Sequence, residues 1–134
     1  MAALSDIEGI GTTYASKLQE AGLRTVDDLL AAGATPAGRD ELVAKTGIGG
    51  GLILEWVNHA DLYRINGVGS EYADLLEAAG VDSVLELAQR RPDNLQAKLA
   101  QINDQKRLVR AVPSESEVAR WVEEAKGLDR AVFH

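Results

Sequence analysis

An all-α fold built from two repeats is what this sequence predicts, and three observations carry the prediction. Leu, Ile, Val and Ala recur at spacings of three and four along the chain, with no sustained alternation that would mark a strand. Three Gly-aliphatic-Gly triplets, Gly9-Ile10-Gly11, Gly47-Ile48-Gly49 and Gly67-Val68-Gly69, cut the helical stretches into short pieces. Residues 7–30 align without gaps on residues 65–88, with ten of 24 positions identical, which marks an internal duplication.

Each element follows from local signals. Thr12 or Thr13 opens a helix that runs to about Ala21 and stops at Gly22, a glycine in the C′ position. Thr25 caps Val26–Ala32, with Asp27 and Asp28 at the electropositive end. Pro36 opens a helix to about Lys45, and Leu52–Asn58 continue after the second triplet. After Gly80, Ser83 caps Val84–Gln89; Pro92 opens a helix through about Gln101, and Asp104 caps another to Ala111. Ser114 caps Glu115–Lys126.

A weaker match at an offset of 65 places Trp56 on Trp121, Val57 on Val122, Ala60 on Ala125 and Lys45 on Arg110. The change of offset from 58 to 65 implies seven extra residues in the second half, expected within Gln89–Gln105. Gly47-Ile48-Gly49 then falls on Val112-Pro113-Ser114, a fourth turn without glycines. Two pseudo-repeats, 1–64 and 65–134, are thus expected to share one compact core, with Tyr14, Tyr72, Trp56 and Trp121 as its largely buried anchors.

Composition narrows the function. The net charge of −7 disfavours nonspecific attraction to nucleic acid or an anionic membrane over the whole chain, although local fields decide docking. Residues 90–110 are an exception, with six basic side chains (Arg90, Arg91, Lys98, Lys106, Arg107, Arg110) against Asp93 and Asp104. The absence of cysteine excludes disulfides and thiolate metal sites. No apolar run is long enough to span a bilayer, and the N-terminus has no signal-peptide pattern, so a cytoplasmic protein is expected. His59 and His134 are too few for a histidine-based metal site. Neither a dinucleotide fingerprint nor a P-loop is completed, and no catalytic residue, cofactor or small-molecule substrate is expected.

Ile7-Glu8-Gly9-Ile10-Gly11-Thr12-Thr13-Tyr14-Ala15 and Ile65-Asn66-Gly67-Val68-Gly69-Ser70-Glu71-Tyr72-Ala73 resemble helix-hairpin-helix motifs. That pattern reads hydrophobic, any residue, Gly, hydrophobic, Gly, three of any kind, Ala. The segment Ala21–Leu30 is similar to the same region in the C-terminal domain of the bacterial RNA polymerase alpha chain. From about Ile7 to Leu128 the chain resembles an uncharacterised bacterial family of tandem helix-hairpin-helix proteins, catalogued as a domain of unknown function. The resemblance implies four hairpins in two units. It also implies a class that often binds DNA backbones without reading sequence, and that also serves as a protein-docking module.

The candidate residues follow. In the first turn Gly9, Gly11, Thr12 and Thr13 offer backbone N–H groups and hydroxyls, with Lys17 nearby. In the second, Thr46, Gly47, Gly49 and Gly50 offer a bare backbone beside Lys45. The alternative is that these glycines serve only tight turns. Glu71 at the third turn and Glu115 and Glu117 at the fourth repel phosphate, so these two are expected to be structural or to meet a protein partner. Lys106, Arg107 and Arg110, expected on one helical face, could dock an acidic partner or another copy of the chain. The alternative there is a solvated face paired with local carboxylates. A nucleic-acid backbone is the favoured partner; a protein partner or self-association is the alternative.

Overall fold

The structure is a computed structural model that describes residues 3–7 and 9–134. The described residues form a short 3₁₀ turn (Leu4–Asp6) and eight α-helices: α1 (Thr12–Glu20), α2 (Val26–Ala32), α3 (Pro36–Thr46), α4 (Gly50–Leu62), α5 (Ser70–Ala78), α6 (Val84–Ala88), α7 (Pro92–Lys106) and α8 (Glu115–Lys126). Extended pairing among them is limited to one isolated bridge, Ala3 with Thr25. The expected all-α class holds.

The chain divides into two compact units, Met1–Asp61 with Ala131–His134, and Leu62–Arg130. The last four residues, expected with the second repeat, therefore belong to the first unit. Phe133 N–H donates to Ala34 O at 2.7 Å, and the buried Arg39 donates to Gly33 O and Phe133 O, both at 2.8 Å. This guanidinium satisfies two carbonyls that a shorter side chain would leave unpaired, which no sequence signal revealed.

Matching positions of the two repeats adopt matching geometry. The N–H groups of Ile10 and Val68 donate to Ile7 O and Ile65 O, each at 3.1 Å, and Gly9 and Gly67 take φ of 91° and 89°. Side chains other than glycine are strained there, which explains both residues. Leu23→Leu18 and Gly22→Gln19 backbone bonds end α1 as a Schellman motif, and Val81→Leu76 and Gly80→Glu77 end α5 in the same way, all at 2.9 Å. Tyr14 tilts on Trp56 at 5.1 Å and 58°, and Tyr72 on Trp121 at 5.2 Å and 55°. Both tryptophans are buried, as expected of core anchors, whereas both tyrosines are only half-buried.

Two helices, α4 and α7, depart from expectation. α4 extends beyond Leu52–Asn58 at both ends because Gly50 and Gly51 continue the helix and Ala60, Asp61 and Leu62 are buried. No separate helix covers 104–111. α7 runs unbroken to Lys106, where Arg107 turns left-handed (φ 51°) and its N–H closes on Asn103 O at 2.8 Å. The extra residues are consequently divided between α7, within the expected Gln89–Gln105, and the loop that follows it. α7 has 15 residues against 11 in α3, the following loop has eight (Arg107–Ser114) against three (Gly47–Gly49), and α6 has two fewer than α2. The net is the seven inferred from the offset.

Glycines in these helices answer to packing differently. A Cβ on Gly38 would run into the carbonyl oxygen of Ala32, whereas one on Gly51 would meet nothing within 4 Å. Gly38→Ala should lower stability by about 1–3 kcal/mol through overpacking. Gly51→Ala should raise it by about 0.5–1 kcal/mol by restricting the unfolded chain. Urea unfolding midpoints moving in opposite directions would bear this out; a shift of the same sign would contradict the packing.

Candidate functional site

The first turn ends in the N-terminus of α1. Gly11 is the N-cap with extended backbone, no side chain caps it, and its O accepts Ala15 N–H at 2.9 Å. Helix geometry leaves the N–H groups of the following Thr12 and Thr13 without intrahelical partners. Gly9, Gly11, Thr12 and Thr13 are all exposed, and a Cβ at Gly11 would meet nothing within 4 Å. An anion could reach these amides at the positive end of the helix. Glu8, part of the motif, lies outside the described residues. Lys17 is exposed and has no ion pair among the described residues, but it lies in the last turn of α1. It is about 7 Å along the axis from Thr12 by helix rise. Only its long side chain could bring charge toward an anion at that end.

The second turn is less open than its glycines suggest. Gly47, left-handed at φ 73°, donates its N–H to Val43 O at 2.8 Å. Ile48, buried, donates to Thr46 Oγ1 at 3.1 Å, and that hydroxyl donates to Leu42 O at 2.7 Å. Gly47 and Thr46 are thus committed to closing α3. What remains for an anion are Gly49, Gly50 and Gly51, exposed at the start of α4, where Gly49 O accepts Ile53 N–H at 3.1 Å. Lys45 pairs with Glu41 at 2.9 Å, both exposed, and the ammonium holds the Glu41 carboxyl below its ordinary value. A pair so exposed is weak and screened, so it yields readily to a stronger anion.

The third turn is clamped at Asn66, while Gly69 at the start of α5 is exposed and uncapped like Gly11. The Glu124 carboxylate accepts Asn66 N–H at 3.0 and 3.2 Å, and Arg120 Nη1 donates to Asn66 O at 3.3 Å. Arg120 Nη2 would stand 3.2 Å from a Cβ on Gly67, and the buried Trp121 Nε1, without a hydrogen-bond partner among the described residues, 3.5 Å. One spacing, Arg120 to Glu124 on a single face of α8, could have indicated this clamp, but its target 54 to 58 residues away could not be read.

At the fourth turn Ser114 and Glu117 form a reciprocal capping box, so Glu117 is a structural cap rather than a free repulsive charge. Asn103 brackets Val109, accepting its N–H at 2.9 Å and donating to its O at 3.1 Å. Gln96 donates to Pro113 O at 3.2 Å and the Tyr72 hydroxyl to Ala111 O at 3.1 Å. Lys106, Arg107 and Arg110 are exposed and carry no ion pair among the described residues. They do not share a helical face, since α7 ends at Lys106 and Arg110 lies in the loop. In the same basic run Arg90 pairs with Glu86 at 3.0 Å and Arg91 with Asp93 at 3.1 Å.

Burial lifts the Tyr72 phenol above its ordinary value of 10.0, and the carboxylates of Glu117 and Glu71 add to the effect. The folded state therefore favours the neutral phenol. Its contribution to stability is fully present below pH 10 and is lost as pH rises through the higher folded value. Stability should fall on the alkaline side of pH 10, and Tyr72→Phe should remove part of that fall while losing the bond to Ala111. Chemical denaturation at a series of alkaline pH values reads both; an unchanged alkaline slope in the variant would refute the assignment.

Comparison with known proteins bears on identity alone. No curated protein and no solved structure matches this chain significantly. Residues 8–128, which include all four turns except Ile7, match the family described as Domain of unknown function (DUF4332), and the chain belongs to that family.

Proposed function

We propose that this protein is a non-enzymatic binding module that holds nucleic-acid phosphates without reading sequence. In this reading its turns are tandem helix-hairpin-helix motifs, related in local sequence to the C-terminal domain of the RNA polymerase alpha chain, in a bacterial cytoplasmic protein. The observation that carries the proposal is the N-terminus of α1, uncapped by any side chain, glycine-bounded and exposed. Its amides match an anion at the positive end of the helix dipole. The exposed Gly49 and Gly50 at the start of α4 supply a second such end in the same unit.

Charge favours a second reading, a protein-docking module without nucleic acid. Of the 14 basic and 21 acidic residues, the first unit holds 4 and 9 and the second unit 10 and 12. The unit that carries Gly11, Gly49 and Gly50 is thus the more acidic, at −5 against −2, and one of its four cations, Arg39, is buried. Such a surface suits a basic partner better than a polyanion, except where backbone amides decide locally.

Titration with mixed-sequence duplex DNA over a salt series separates the two. Removing one phosphate-neutralising cation should flatten the logarithmic salt dependence by about 0.9. Lys17→Glu with Lys45→Glu should weaken binding for all sequences alike. Glu41→Gln, which releases Lys45 from its pair, should strengthen it about two- to fivefold, the scale of a surface ion pair. Absence of binding at low salt would leave the docking module as the function.

A further inference from the structure

We propose that the α7–α8 loop is a second phosphodiester contact, made by Lys106, Arg107 and Arg110. The proposal rests on the nucleic-acid reading above, but on residues independent of the glycine turns.

The loop is held in one conformation. Asn103 fixes Val109 through both its N–H and its carbonyl, Tyr72 and Gln96 take the carbonyls of Ala111 and Pro113, and Arg107 is the left-handed residue that ends α7. Val109 and Pro113 are buried, and Leu108 packs against the core of the second unit. The larger apolar side chains are thus buried or half-buried, and the exposed residues are Lys106, Arg107, Arg110, Ala111 and Ser114. A backbone held in this way lowers the ordering cost of binding to that of the side chains themselves.

The position is also that of a binding turn. Trp121 matches Trp56 and Arg110 matches Lys45, so this loop stands before α8 as Gly47–Gly49 stand before α4. The second repeat has exchanged exposed glycine amides for side-chain cations. Both can hold a phosphate, the first through N–H groups and the second through guanidinium and ammonium groups.

The character of the outward face selects the partner. Protein interfaces are anchored by large apolar or aromatic side chains at their centre. Here such groups face inward and cations remain, which is the pattern of contact with a phosphate backbone. Guanidinium groups bind phosphate oxygens in pairs, and two of the three residues are arginines. The exposed Asp104 and Glu115 flank these cations in sequence, and the carboxylates of Glu71 and Glu117 act on Tyr72.

The test uses the full chain and a labelled mixed-sequence duplex, read by anisotropy across a salt series. The triple variant K106E/R107E/R110E should lose about tenfold or more in affinity at low salt and flatten the salt slope by roughly 3. The single variant R110Q, which leaves the capped helix end untouched, should flatten it by about 1, and decides the matter should the triple variant not fold. The double variant K17E/K45E is measured in parallel. Loss in the loop variants with none in the double variant supports the loop and removes the glycine-turn reading. The reverse overturns the loop and leaves that reading standing. A change of solution mass in the triple variant with DNA binding unaltered would assign the loop to another copy of the chain and overturn the proposal. Absence of duplex binding by the parent chain at low salt overturns both.

Discussion

One arrangement organises each unit: a buried tryptophan beneath a left-handed glycine. In the first unit Trp56 Nε1 lies 3.5 Å from where a Cβ of Gly9 would be, and in the second Trp121 Nε1 lies 3.5 Å from that of Gly67. A tyrosine from the helix after the turn tilts onto each indole. The large ring fixes the height of the turn above the underlying helix, and the aliphatic residue between the glycines, Ile10 or Val68, is driven inward beside it. The turn is then rigid enough to present backbone groups in a fixed direction. In both units the glycine before the helix, Gly11 or Gly69, is exposed and uncapped. In the second, the same scaffold carries Arg120 and Glu124 on the face of α8 that supports the turn, and they occupy Asn66.

This divergence shows how little of a site resides in its motif. Gly67 keeps the left-handed φ of Gly9 within a few degrees, at 89° against 91°, yet a carboxylate within the chain holds the neighbouring Asn66 amide. The second turn has the most glycine and gives the fewest free groups at its start, because Gly47 and Thr46 serve the end of α3. Capacity to bind is set by which amides the fold has already used, and that depends on residues distant in sequence.

What was legible in the sequence was what short-range physics dictates. Thr25 and Ser114, each with an acidic residue three positions on, announce helix starts, and both form reciprocal capping boxes. Gly22 and Gly80 announce helix ends for the same reason: only a left-handed residue releases the chain there. The repeat was legible because its identities fall on residues with strict steric roles. By contrast, Asp104 looked like a helix start but lies inside α7, since the signal that ends the helix, Arg107 closing on Asn103, is an arginine in a conformation usually reserved for glycine. The buried role of Arg39 was invisible because its partner at Phe133 lies 94 residues away. In the candidate site, the exposure of Gly9 and Gly11 could be read, and the pairing of Lys45 with Glu41 is a local i,i+4 contact, whereas the clamp of Arg120 and Glu124 on Asn66 required tertiary contacts.

The return of Ala131–His134 to the first unit gives the chain a nested topology, with the second unit inserted into the first. Closing a flexible loop between Arg39 and Phe133 would carry the entropy of all the intervening chain. The inserted unit relieves most of this, because Arg64 donates to Asp129 O at 2.7 Å and holds its entry and exit together. Once folded, it acts as a short staple rather than a long tether and returns the chain close to where it left. The contiguous unit can therefore form first, and the tail contacts of the discontinuous one close afterwards at reduced entropic cost. Arg64 thereby shortens the effective loop that the contact between Arg39 and Phe133 has to close.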